Sequence, residues 1–229
     1  MTLRRIPNKG VTVLRYDAVL YDFDGTLVDT IPMIVNSFHF AYKKVLNVRK
    51  SDDVIKSTIG LPLWTAFQEY DAETQKALHA AYQEENERLL PHAVEIFDGI
   101  ESGLRKLKAM GVTQGVVTSK RREPAIFTMK QFNIDSFFDI IVSREDTTEH
   151  KPGPAPLLFA AEQLGVSDMR RILYVGDSVH DLRCAHNAGT DSAAVSWTRM
   201  PENELRAEYP TYWIESLSSI SCILESREL

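Results

Sequence analysis

The chain has 229 residues, 44% of them hydrophobic and 25% charged, with a net charge of −6 at pH 7. That length accommodates one large domain, or one domain with a small insert, and the composition is that of an ordinary globular protein. The negative balance argues against an extended basic face for nucleic acid, though not against a local cationic pocket.

The opening stretch, MTLRRIPNKGVTVLRYDAVLYDFDG, begins basic like a leader. Arg15 and Asp17 interrupt its apolar run and no small-residue cleavage site follows, so secretion is not expected. No run reaches the roughly 18 apolar residues of a membrane span. The two cysteines, Cys184 and Cys222, form no CxxC pair; they suggest neither a disulfide framework nor a zinc site, and both are expected buried or half-buried. A reducing, cytoplasmic setting follows as the expectation.

Residues 18–26, AVLYDFDGT, read as a buried parallel strand ending in turn chemistry. From Ile31 to Ile96 the pattern is helical throughout, with no convincing strand. Pro32 sits near a helix start, with Ile34, Phe38, Tyr42 and Val45 at helical spacing. Ser51 and Gly60 read as the N-cap and stop of a second helix, and Asp71 as the cap of a third that ends before Pro91.

Alternation then returns. GIESGLRKLKAMG is a helix closed by Gly111, followed by the strand VTQGVVTS, the helix EPAIFTMKQFNI and the strand FFDIIVS. PAPLLFAAEQLG, RRILYVGD, VHDLRCAHNAG and DSAAVSW continue as helix, strand, helix and strand. Such alternation points to a parallel sheet with right-handed crossovers. The fold class is therefore α/β, a Rossmann-like parallel sheet core made of residues 1–30 and 97–229. Residues 31–96 form a smaller all-helical domain inserted after the first strand.

Ligands of open α/β sheets bind beyond the carboxyl ends of the strands. Four such ends carry polar groups: Asp22 and Asp24; Thr118 and Ser119; Lys151, in HKPGPAP; and Asp177 and Asp181, in GDSVHD. Several carboxylates in one place stay ionised only with a cation beside them. An oxygen-only donor set favours a hard ion, Mg²⁺ before Ca²⁺ or Zn²⁺. Lys151 and Thr118 offer a charge and a hydroxyl for an anion, and the N–H groups after Asp22, around Asp24 and Gly25, suit a phosphate nest. Phosphoryl transfer fits this set, because positioning and charge neutralisation carry most of its catalysis.

Other readings are weaker. The D-x-D opening resembles a calcium loop, but Leu27 and Met33 stand where that loop needs Gly and Glu. No GK[ST] of a P-loop occurs. Asp177 also reads, less strongly, as the N-cap of the following helix, a role compatible with metal binding. The run Lys120–Arg121–Arg122 reads as a solvated loop or as a local attraction for anions.

DFDGTLVD, GVVTSK, KPGPAP and GDSVHDLRCAHNAG, in this order, resemble the four motifs of the haloacid dehalogenase superfamily, over about residues 17 to 197. The resemblance implies that Asp22 is the nucleophile, forming an aspartyl-phosphate, and that Asp24 is the general acid and base. It implies Mg²⁺ held by the Asp22 side chain, the Asp24 carbonyl and Asp177, with Asp181 orienting a metal water or Lys151. Thr118, Ser119, Lys151, Phe23 and Gly25 would bind phosphate, and Asp29 would anchor the turn or hinge. Dehalogenases proper lack the second aspartate, so Asp24 and Thr26 favour phosphate chemistry. The helical insert resembles the family's small cap, with Gly60, Leu61, Pro62 and Trp64 expected near the ligand. The tail AAVSWT and the compact cap are most similar to phosphoglycolate phosphatases and to haloacid dehalogenase-type pyrophosphatases of Gram-positive bacteria. The expected activity is Mg²⁺-dependent hydrolysis of a small phosphorylated metabolite, phosphoglycolate or inorganic pyrophosphate, by a monomer or homodimer that binds neither membrane nor nucleic acid. A phosphotransferase or mutase and a non-catalytic interaction module are the alternatives. A GLPLW cap loop without Arg or Lys speaks against the mutase, and the complete motif set against the module.

Overall fold

A computed structural model describes residues 14–225. The basic start of the chain, weighed above as a leader, lies largely outside them. The sheet is parallel and six-stranded, in the order β5-β4-β1-β6-β7-β8. Its centre is β1 (Ala18–Tyr21), whose residues are all buried, as both faces of a central parallel strand must be.

After β1 the chain turns through Gly25 into β2 (Val28–Asp29) and then leaves the sheet. Three helices follow: α1 (Ile31–Leu46), α2 (Asp52–Lys56) and α3 (Ala72–Leu89). Ser51 accepts from Val54 N–H and Asp71 from the N–H groups of Glu73 and Thr74, so both expected caps form. Helices α1 and α3 pack as a pair around Phe38, whose ring lies 4.8 Å from Tyr82 and 5.5 Å from Phe67. This is the cap.

Its exit differs from the expectation of helix throughout. Glu95–Ile96 form β3, antiparallel to β2, with Val28 opposite Ile96 and Asp29 opposite Glu95. The two crossings between sheet and cap are thereby tied together. A two-residue strand is too short to leave a periodic trace.

The core continues through α4 (Ile100–Ala109), β4 (Thr113–Val117), α5 (Arg122–Gln131), β5 (Ile140–Val142), α6 (Ala155–Leu164), β6 (Ile172–Gly176), α7 (Val179–Ala188) and β7 (Asp191–Val195). Gly111 follows α4 at φ +79°, a conformation that favours glycine. Beyond the anticipated elements lie α8 (Glu202–Ala207), β8 (Tyr212–Ile214) and α9 (Ile220–Glu225). The last of these follows Leu217, which packs so closely on α4 that a Cβ at Gly103 would lie 2.7 Å from it. Cys184 is buried, donating to the Gly153 carbonyl, but Cys222 is exposed on α9 rather than buried. Among the described residues no helix is long and apolar enough to cross a membrane.

The chain runs from β1 outward in both directions, so the topological switch lies at β1 and its neighbours. Tyr21 pairs with Val116 on one side and Val175 on the other. Asp22, Thr118 and Asp177 consequently emerge within about one residue of the same level at the carboxyl edge.

Candidate active site

Asp22 follows β1, its N–H donating to the Val175 carbonyl (2.8 Å), so the sheet ladder fixes its backbone. The next turn depends on Gly25, at φ +90°. A Cβ there would lie 2.2 Å from Asp177 Oδ2, so only glycine lets the turn pass this close to the second carboxylate. Asp177 follows β6 and accepts from Thr26 Oγ1 (3.1 Å), while its carbonyl accepts from Thr198 Oγ1 (2.9 Å). The N-cap of α7 is Ser178, not Asp177; Ser178 and Asp181 form a capping box.

Lys151, on the loop before α6, bridges two acids: its Nζ donates to Asp22 Oδ1 (2.6 Å) and Asp181 Oδ1 (2.7 Å). All three side chains are buried. Asp181 also accepts from Tyr174 Oη (3.1 Å) and from the Ser178 N–H (3.1 Å) and hydroxyl (2.6 Å). Each of its oxygens thus has two donors, Lys151 among them.

Burial pushes the Asp22 carboxyl up to about 7; Lys151 opposes this and Asp181 adds to it. Burial also drives Asp177 well above the usual carboxylate range, with Asp181 and Asp22 adding to the effect. Burial works in the same direction on Asp181, but Lys151 outweighs it and holds that group below the range. Burial lowers Lys151, and Asp181 and Asp22 more than compensate, so it stays charged.

Asp22, Asp177 and Asp181 offer carboxylate oxygens within 4.8 Å of one another. The cluster fits a metal ion on its donor chemistry: burial and mutual repulsion make Asp22 and Asp177 costly to ionise, and a cation offsets that cost. With Asp181 engaged, Asp22 and Asp177 are the side chains left to ligate. The Asp24 carbonyl accepts no hydrogen bond among the described residues, so it is free to serve as a further oxygen donor.

The Asp24 carboxylate itself lies outside that cluster. It accepts from Thr30 Oγ1 (2.8 Å) and forms an ion pair with Lys120 Nζ at 2.9 Å and 3.1 Å. Asp22 and Asp24 both line a cavity of about 120 Å³ between core and cap, with Thr118 and Ser119. Thr118 is buried and its hydroxyl accepts from the Lys120 N–H (3.1 Å). Ser119 instead donates to the cap, at the Gly60 carbonyl (2.7 Å). The Phe23 side chain is in the core, and the N–H groups of Phe23 and Asp24 have no hydrogen-bond partner among the described residues.

Of the four cap-loop residues, Gly60 and Leu61 line the cavity; Pro62 is buried elsewhere and Trp64 faces outward against Arg144 and His150. Asp29 pairs with Arg199 (2.5 Å) beside the β2–β3 crossing. Sequence reasoning weighed Lys120 only within its basic run and missed its pairing with Asp24. Its run divides into three fates: Lys120 is buried against Asp24, Arg121 reaches cap residue Glu87 (3.0 Å), and Arg122 pairs with Asp146. The available signal was its position directly after Thr118 and Ser119.

A parallel sheet with acids gathered at its carboxyl edge beneath a helical cap defines a capped α/β enzyme. The family model for haloacid dehalogenase-like hydrolases matches residues 19–195, and the chain belongs to that family. It is 35% identical over 212 residues to a Caldanaerobacter subterraneus protein provisionally named pyrophosphatase PpaX, covering 93% of this chain and 96% of that one. A haloacid dehalogenase-like hydrolase of Bacteroides fragilis, so described provisionally, superimposes with a TM-score of 0.82 at 30% identity, covering 90% of this chain and 99% of that one. A structure from Haemophilus somnus, described from prediction as a phosphoglycolate phosphatase, has a TM-score of 0.80 at 23% identity over 91% of this chain and 98% of its own; it shares the fold.

Proposed function

We propose that the chain is a Mg²⁺-dependent phosphatase of small phosphorylated compounds, with inorganic pyrophosphate preferred over phosphoglycolate. The buried bridge from Asp22 through Lys151 to Asp181, with Asp177 alongside, carries the reading. The name of the 35%-identical relative supports pyrophosphate. Among the described residues, 31–96 act as the cap and 14–30 and 97–225 as the core of a cytoplasmic enzyme.

Asp22 and Asp177, with the Asp24 carbonyl, hold the ion, which neutralises the acids and the phosphoryl oxygens when bound. An Asp22 carboxylate oxygen attacks phosphorus, and the bond from phosphorus to the leaving oxygen breaks. Asp24 gives that oxygen a proton. It then takes one from the water that cleaves the aspartyl-phosphate, releasing phosphate and restoring Asp22. Lys151, Thr118 and the N–H groups of Phe23 and Asp24 bind the transferring group. The cap limits water at the site through the Ser119–Gly60 contact.

The test is phosphate release from pyrophosphate, phosphoglycolate and sugar phosphates, scored as kcat/KM with Mg²⁺ and with EDTA. The expected result is EDTA-sensitive release, fastest from pyrophosphate. Release from none of the compounds, or release indifferent to EDTA, overturns the reading.

A further inference from the structure

The cavity extends past Asp24 toward three cations, Lys120, Arg121 and Arg144. Lys120 is taken by Asp24 and Arg121 by Glu87. Arg144 has no carboxylate partner among the described residues. Its N–H donates to the Lys120 carbonyl (3.1 Å), which fixes its backbone beside the Asp24 pair. Its guanidinium lies 5.3 Å from the ring centre of Trp64, within cation–π range. Trp64 belongs to the cap loop, is 45% exposed and meets the His150 ring edge-on at 5.2 Å on the core side. A cap aromatic therefore holds a core guanidinium at the rim of the cavity.

Three positive side chains face Asp24 and Glu87 in this half of the cavity, leaving an excess of one positive charge that Arg144 supplies. A cation with no carboxylate partner among the described residues, in a cleft with apolar walls such as Ile34, Leu61 and Leu63, attracts an anion more strongly than in open water. The cavity measures about 120 Å³, room for a small anionic group beside Arg144.

We propose that Arg144, held under Trp64, reads the leaving group, so that the site selects substrates whose transferred phosphoryl is attached to a second small anionic group. The inference rests on the phosphatase reading and adds to it a specificity-determining residue. Guanidinium geometry suits a phosphate or a carboxylate, bound through paired N–H donors. Pyrophosphate and phosphoglycolate are the two forms of that chemistry, and both enter the test.

The experiment measures kcat/KM for pyrophosphate, phosphoglycolate and p-nitrophenyl phosphate, whose aryl group bears no second anion. Wild type is compared with Arg144→Ala, Arg144→Lys and Trp64→Leu, each checked for folding by circular dichroism and thermal melting. In Arg144→Ala the ratio of the better anionic substrate to p-nitrophenyl phosphate falls at least about tenfold, the scale of a lost charged hydrogen bond. Arg144→Lys retains more of the ratio than Arg144→Ala, and Trp64→Leu lowers it. A ratio within about threefold of wild type in Arg144→Ala overturns the proposal. If Arg144→Ala does not fold, Arg144→Gln is read by the same criterion. If wild type releases phosphate from none of the compounds, the phosphatase reading fails on its own. Calorimetric binding of imidodiphosphate then decides the subsite: weaker binding by Arg144→Ala sustains it, and equal binding overturns it.

Discussion

Lys151 Nζ stands 2.6 Å from Asp22 Oδ1 and 2.7 Å from Asp181 Oδ1, joining the end of β1 to the first turn of α7 through one buried ammonium. Removing it leaves two buried carboxylates facing each other. Breaking a buried pair by deleting one partner costs about 3–5 kcal/mol. Lys151→Met is therefore expected to lose stability on that scale in urea denaturation without metal, along with nearly all hydrolysis. Adding Asp22→Asn should restore part of the stability and none of the activity. If Lys151→Met melts like wild type, the ammonium does not hold the acids together.

Asp177 makes the opposite case. Burial drives its carboxyl well above the usual range, with Asp181 and Asp22 adding to the effect, so in the metal-free chain it opposes folding. Asp177→Asn keeps the shape and removes the charge. The expected outcome is a higher Tm without metal, no Mg²⁺-induced rise in Tm and no phosphate release. A lower metal-free Tm would contradict the account of Asp177 as a group waiting for a cation.

Much of this site was legible because each motif sits where local chemistry and topology agree. Ser51 and Asp71 cap their helices as their side chains dictate, and the ends of β1, β4 and β6 meet at the switch point that parallel topology requires. The strands β3 and β8, two and three residues long, were not legible, because they are shorter than any period they could display. The Asp24–Lys120 pair was hidden for another reason: 96 residues separate the partners, and only its place directly after Thr118 and Ser119 sets Lys120 apart from Arg121 and Arg122. The cap loop was read half-way. A 3₁₀ turn over Leu63–Phe67 carries Trp64 away from the cavity that Gly60 and Leu61 line, and tertiary contact with Arg144 decides where it goes.

The Asp22 carboxyl, raised to about 7 chiefly by burial, gives the metal-free chain a pH dependence of definite sign. The folded state binds this proton more tightly than the unfolded chain does. Its contribution to stability is fully present below the ordinary carboxylate value and is lost as pH rises through about 7. Mg²⁺ competes with the proton, so its stabilising effect grows over the same interval. The Mg²⁺-induced increase in Tm should be clearly larger at pH 8 than at pH 6. Equal increases at the two values would mean that Asp22 is already ionised without metal.

Gly25 supports both acids through space rather than charge. A Cβ would meet Asp177 Oδ2 at 2.2 Å, and the backbone sits at φ +90°. Gly25→Ala should cost about 1–3 kcal/mol from backbone strain alone. It should also weaken Mg²⁺ binding by displacing Asp177, measured by calorimetry. Unchanged metal affinity in a folded Gly25→Ala protein would remove the argument for close approach.

Lys120 is expected to act on the reaction through Asp24, which it touches at 2.9 Å while Thr30 holds the same carboxylate at 2.8 Å. Loss of the ion pair frees Asp24 to adopt other rotamers, so proton delivery to the leaving oxygen suffers while the attack by Asp22 does not. General acid–base groups contribute about 10²–10⁴-fold, and misplacing one forfeits part of that. Lys120→Met should therefore lower kcat about tenfold or more for sugar phosphates, whose alkoxide leaving groups need the proton. The loss should be smaller for p-nitrophenyl phosphate, whose leaving group departs without one. Equal losses on both substrates would assign Lys120 to phosphate binding instead, because a binding cation serves every phosphoryl group alike.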